Sequence, residues 1–110
     1  MNEIADNLVK YKIVLKSLKE FDKTLLGTRK KLKIYSGTDR NGFYNVIFYI
    51  DQKSRFLQKN AQEIMELEER LEQIVNHRYR YKYLFIKSPI CSKAKKLLQD
   101  NGWRVKNDTV

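Results

Sequence analysis

The densest run of chemically useful side chains in this chain is His77-Arg78-Tyr79-Arg80-Tyr81-Lys82-Tyr83. Cations neutralise phosphates, and aromatic planes receive unstacked bases. In an extended strand, period two sends Arg78, Arg80 and Lys82 to one face and Tyr79, Tyr81 and Tyr83 to the other. The basic face suits a polyanion. The tyrosine face suits packing under a helix, with the hydroxyls reaching water. A second basic block is Arg29-Lys30-Lys31-Leu32-Lys33. A third cluster is Lys87-Ser88-Pro89-Ile90-Cys91-Ser92-Lys93, where a strand gives way to a helix. The free amides of that helix start, with Ser88 and Ser92 and flanked by Lys87, Lys93, Lys95 and Lys96, suit a phosphate. Cys91 reads as a half-buried structural thiol, because no second cysteine exists to resolve a disulfide. His77, the one histidine, reads as a dipole partner at a helix end.

The charge balance agrees with these clusters. The 110 residues carry 23 Lys+Arg against 13 Asp+Glu, a net charge of +10. The excess is uneven: net +4 over residues 28–54 and +7 over 77–110, against −2 over 55–76. A localised basic excess is the footprint of a polyanion-binding face. One Cys and one His exclude a disulfide framework, a multi-thiolate metal site and a histidine cage. No apolar run approaches the ~18 residues of a membrane span. Acids near the N-terminus stand where a signal peptide needs basic and then apolar residues, so an intracellular, cytoplasmic protein is expected.

The elements that must position these residues follow from periodicity. Ile4, Leu8, Tyr11, Leu15, Leu18 and Leu25 recur at spacings of three and four, which predicts an amphipathic helix over residues 1–27, closed by Gly27. Lys31 to Ser36 and Phe43 to Asp51 predict a hairpin around the turn formers of residues 37–42. Ser54 is the expected cap of a second long helix, acidic on its solvent face. A strand over Tyr79–Lys87, a helix to about Asn101, a short strand at Trp103-Arg104-Val105 and a tail over residues 106–110 complete the chain. The expectation is one α/β (mixed α+β) domain over residues 1–110, with a sheet-and-helix core over 28–105. Its order is α-β-β-α-β-α-β, an antiparallel hairpin joined to parallel crossovers.

The hairpin's second strand ends Val46-Ile47-Phe48-Tyr49-Ile50-Asp51-Gln52-Lys53, with Asp39 a dozen residues before Asp51. A hydrophobic strand ending in Asp-x-Lys after an upstream Asp resembles the PD-(D/E)XK nuclease superfamily, and the helix-strand-helix-strand order that follows is similar. The resemblance extends over roughly residues 3–105. It implies a Mg²⁺-dependent DNA nuclease in which Asp39 and Asp51 hold the metal, Lys53 assists the attacking water or the phosphate charge, and Glu20 is an accessory acid. Hard carboxylate oxygens suit that ion, which polarises the phosphodiester. The chain departs from the family's pattern in three ways. Asp39 falls in a turn instead of on a strand, the paired positions Leu32, Lys33 and Ile34 carry no acid, and two strands are visible where the family has a three-strand meander.

These observations predict a small basic protein whose partner is DNA or RNA. Phosphates would be neutralised by Arg29, Lys30, Lys31, Lys33, Arg78, Arg80, Lys82, Lys87, Lys93, Lys95 and Lys96. Two other readings stand beside it: the metal-dependent nuclease, and an adaptor or homodimer that associates through the N-terminal helix. No membrane partner is expected.

Overall fold

The computed structural model describes residues 3–28 and 31–107. The elements are α1 (Glu3–Lys10), β1 (Lys16–Phe21), a 3₁₀ turn (Lys23–Leu26), β2 (Leu32–Thr38), β3 (Tyr44–Ile50), α2 (Gln58–Val75), β4 (Tyr81–Ile86), α3 (Ser92–Asp100) and β5 (Trp103–Asn107). They form one five-stranded sheet in the spatial order β1-β2-β3-β4-β5. The first three strands are an antiparallel meander, while β4 and β5 add in parallel. Each parallel addition needs a crossover, which α2 and α3 supply. The mixed class, the hairpin and the β-β-α-β-α-β order of the later elements are those the patterning implies.

The first segment differs. The helix expected over residues 1–27 stops at Lys10, and a strand follows. The stop is a left-handed residue, Lys12, at φ 59°. Two hydrogen bonds close it: Lys12 N–H to Val9 O at 3.1 Å and Ile13 N–H to Leu8 O at 2.9 Å. That pair is the Schellman pattern, which normally uses glycine at the left-handed position. With lysine there, the sequence carries no stop signal. The apolar stripe still has one destination, since Ile4, Leu8, Tyr11, Ile13, Leu15 and Leu18 all pack on one sheet face. A helix-then-strand path delivers them there as well as a continuous helix would. Between Lys16 and Lys19 the register of β1 slips, with Ser17 at φ 55°. Gly37 of β2 sits under this bulge, and a Cβ there would meet Lys16 O at 3.0 Å.

The sheet is covered on both faces, but unequally. Val46, Phe48, Ile50, Leu84 and Ile86 point towards α2 and α3, where Ala61, Ile64, Leu71, Ala94, Leu98 and Trp103 close the main core. Ile47, Tyr49, Tyr83 and Phe85 point the other way, towards Ile4 of α1. Apolar residues on both faces of β3 and β4 mark them as interior strands.

Two helix starts also differ from expectation. α2 begins after Leu57 instead of at Ser54, and Asn60 Oδ1 accepts the Leu57 N–H at 2.8 Å. The start of α3 is capped by Cys91, whose Sγ accepts the Ala94 N–H at 3.3 Å. Phe56 N–H donates to Pro89 O and Cys91 N–H to Phe56 O, which ties the two helix entries together. β5 continues to Asn107, into the expected tail. Among the described residues, no helix is long and apolar enough to cross a membrane.

Candidate nucleic-acid interface

A cleft of about 510 Å³ opens where β1, β2 and β3 end together. Glu20, Asp22, Lys23, Lys31, Lys33, Tyr49 and Asp51 line it. Pairing explains the assembly: Lys33 lies opposite Tyr49 and Glu20 opposite Tyr35, so alternate residues of three strands share a face. The 3₁₀ turn forms a wall. Asp22 caps it, accepting from Thr24 N–H at 3.0 Å and Thr24 Oγ1 at 2.7 Å. The Thr24 hydroxyl and then its N–H hold the Asp22 carboxyl below the ordinary carboxylate value. Arg70 of α2 donates to Leu26 O at 3.1 Å and anchors the turn.

The expected acid pair is not brought together. Asp39 follows β2 at the hairpin turn, whereas Asp51 follows β3 at the opposite end. Six strand steps separate these ends, about 20 Å at ~3.3 Å per residue. Two ligands of one Mg²⁺ must each lie roughly 2.0–2.1 Å from it. Asp39 is occupied by its own turn, accepting from Asn41 N–H at 2.9 Å, Phe43 N–H at 3.0 Å and Asn45 Nδ2 at 3.4 Å. Desolvation is the largest single influence and opposes its ionisation, but together the Phe43, Asn45, Asn41 and Gly42 bonds outweigh it and hold the carboxyl below the usual value. Lys53 is exposed past the strand end, outside the cleft lining. Asp51 instead shares the cleft with Glu20 of β1 and Asp22 at the start of the 3₁₀ turn, beside Lys31 and Lys33 before and in β2. Among the described residues, no group of three His, Cys, Asp or Glu could hold a metal ion. The acids that do share one cleft wall are Glu20, Asp22 and Asp51, without Asp39.

The predicted cations separate into distinct places. Lys31 and Lys33 line the cleft. Lys87 leaves β4 at the same edge, its N–H donating to Ile50 O at 2.9 Å. Lys93 and Lys95 are exposed on α3, across the sheet, where Lys96 pairs with Asp100 at 3.3 Å. Arg29 and Lys30 lie outside the described residues. Ser88 is buried, and its hydroxyl donates to Pro89 O at 3.3 Å.

The expected basic face of Arg78, Arg80 and Lys82 breaks up. Lys82 turns under α2 and meets the buried Glu68 at 3.4 Å. Burial first, then the Glu72 carboxyl one turn on, pushes Glu68 up to about 8. Glu72 is held low, against its own partial burial, by Glu68, by the Tyr79 N–H and by Lys82 and Arg78. The chain bends at Arg80 before β4 begins, so Tyr79 packs with the main core while Arg80 crosses to the other face. His77 follows the left-handed Asn76 and stacks on Tyr44 at 3.7 Å, interplanar 16°.

On the α1 face the structure mixes what the strand pattern separates. Arg80 lies over Phe43, 4.7 Å from its centroid, and Arg104 lies over Tyr81 at 4.7 Å. Lys106 stands 5.6 Å over Tyr11. Arg104 and Lys106 were missed as sequence candidates. Their signal was the parallel pairing of β5 with β4, which sets Arg104 beside Tyr83 and Lys106 beside Phe85. A second cleft of about 310 Å³ lies here, lined by Tyr11, Lys12, Asn45, Tyr81, Arg104 and Lys106 among others.

The whole arrangement has counterparts among solved structures. EndoMS in its apo form superposes with a TM-score of 0.59 at 18% identity, over 96% of this chain and 44% of that one. A repair endonuclease from Pyrococcus abyssi gives 0.56 at 15% identity, over 96% and 45%. EndoMS in a complex with double-stranded DNA gives 0.52 at 18%, over 96% and 42%. At these identities the likeness is one of fold, in line with the weak resemblance that the Asp51-Gln52-Lys53 hairpin carries. The fold is nuclease-like. β1 supplies the third meander strand that the periodicity hides. The chain spans less than half the length of each of these proteins. No protein-family model and no curated protein matches the sequence.

Proposed function

We propose that this chain is a nuclease-fold domain that binds nucleic acid through phosphate contacts. Its first contact surface would be the cleft of Lys23, Lys31 and Lys33. The observation that carries this reading is the set of three lysines, interleaved with the acids Glu20, Asp22 and Asp51, around an open cleft at the end of β3. Lys31, just before β2, and Lys33, within it, are both exposed at the cleft, two residues apart and able to meet neighbouring phosphates. The EndoMS structure in complex with double-stranded DNA makes DNA the first partner to test. A cytoplasmic setting belongs to the same reading, since Cys91 is free and serves as a helix cap.

The test is binding of a labelled duplex across a salt series. The wild-type log–log slope should be steep, and Lys31→Ala/Lys33→Ala should flatten it by about 2 units, roughly 0.9 per lost phosphate contact. Affinity that does not change with salt would sink the reading.

A second reading, metal-dependent phosphodiester cleavage, draws on the fold and on Glu20 and Asp51 sharing the cleft wall. The missing acid on β2 weighs against it. Incubating plasmid with Mg²⁺ tests it: cleavage by the wild type but not by Asp51→Ala would establish it.

A further inference from the structure

The second cleft has a chemistry that phosphate binding alone does not require. It lies at the other end of β3 from Asp51, on the α1 face, where β3, β4 and β5 begin. Its surroundings alternate flat apolar groups with flat cations: Arg80 on Phe43, Phe43 edge-on to Tyr81 at 6.3 Å, Tyr81 under Arg104, and Arg104 reaching the Tyr83 hydroxyl at 3.4 Å. Arg80 and Arg104 are exposed, as is Phe43. Asp39, the acid in the lining, already accepts from the N–H groups of its turn. Lys12 and Lys106 complete the rim.

A duplex backbone needs the cations and has no use for the rings, because its bases are stacked inside. An unpaired nucleotide uses both. Its base stacks on an aromatic ring or a guanidinium plane, and its phosphate takes a neighbouring cation. Rings held in place by stacked arginines are already ordered, so little conformational freedom is lost on binding. We propose that this cleft binds an unpaired nucleotide of a nucleic-acid strand, with the base on the Arg80–Phe43–Tyr81–Arg104 stack and the phosphate on Lys106 and Lys12. The proposal rests on the nucleic-acid reading above and adds a preference for single-stranded or locally unpaired substrate.

The experiment compares fluorescence anisotropy of a labelled oligo-dT 20-mer, the same length of abasic strand and a 20-base-pair duplex, at one salt concentration. Arg80→Gln and Arg104→Gln are surface changes that should leave folding intact, checked by thermal melting. Each should weaken oligo-dT binding about tenfold, as loss of one stacking platform implies, while duplex affinity stays within twofold. Tyr81→Phe, which keeps the ring, should change nothing, and the abasic strand should bind as weakly as the arginine variants bind oligo-dT. Equal losses on oligo-dT and duplex, or wild-type binding of the abasic strand as tight as oligo-dT, would overturn the proposal and leave the phosphate-binding reading standing. Absence of binding to all three probes would overturn both.

Discussion

The two faces of the sheet make different use of similar strands. On the α2–α3 face, Val46, Phe48, Leu84 and Ile86 are sealed beneath two helices, and the Glu68–Lys82 contact lies under α2. On the α1 face, a helix of eight residues packs on the sheet through Ile4 and Leu8, and two clefts stay open, the second beside the helix end at Tyr11 and Lys12. The α1 face buries Ile47, Tyr83 and Phe85 at its centre and leaves rings and cations exposed only towards the strand ends. The molecule therefore separates stability from recognition across a single layer of backbone. Substituting matched residues on the two faces measures how complete that separation is.

The largest contrast should come from the core. Phe48→Ala removes a fully buried ring packed edge-on to Trp103 at 5.5 Å, and should cost about 3–5 kcal/mol, enough to unfold a marginal domain. Ile4→Ala on the thin face should cost nearer 2 kcal/mol, because open space beside α1 lets the site relax. Urea denaturation of both variants checks this; equal losses would mean that α1 seals its face as tightly as α2 and α3 seal theirs.

The next effect is a pH dependence centred on the thick face. Glu68 sits at about 8 in the folded protein, against an ordinary value of 4.5. Its neutral form is favoured by folding, so this contribution is whole below about 4.5 and is lost as pH rises to about 8. Glu72, held low, works in the opposite sense: its contribution is present above 4.5 and fades as pH falls. The Glu68 loss should be roughly 2–4 kcal/mol between those limits, at ~1.4 kcal/mol per unit and tempered by coupling to Glu72. Glu68→Gln should flatten the dependence above pH 5. A melting temperature that rises steadily from pH 5 to 8 in the wild type would show that Glu68 stays ionised against Lys82.

The division between faces also explains what the sequence could reveal. Strands β2 to β4 and both long helices were legible because their apolar residues keep one period and end at turn formers. β1 was not, because the helix-like spacing of Leu15 and Leu18 continues that of Ile4 and Leu8, and Lys12 hides the break between them. The same hidden strand concealed Asp22 as a cleft acid, while Glu20, expected as an accessory acid, does share the cleft with Asp51. Asp39 and Asp51 misled in the opposite way: close in sequence spacing, they lie at opposite ends of a hairpin. Arg104 and Lys106 join the tyrosines only through parallel pairing between strands separated by a helix, which one strand's alternation does not encode.

The smallest predicted effect tests whether recognition and stability conflict where they meet. Lys12 occupies a left-handed conformation that strains its Cβ and also lines the cleft of Tyr81 and Arg104. Glycine adopts φ near +60° without that strain, at the price of a looser unfolded chain, so Lys12→Gly should raise stability by about 0.5–1 kcal/mol. It also deletes a rim cation, so affinity for a single strand should fall a few-fold and the salt slope should drop by about 0.7. Thermal melting and oligo-dT binding on the same sample decide it. A gain in stability with unchanged binding would place Lys12 outside the recognition surface. A loss of stability would mean that the lysine side chain, rather than the left-handed turn, holds α1 to the sheet.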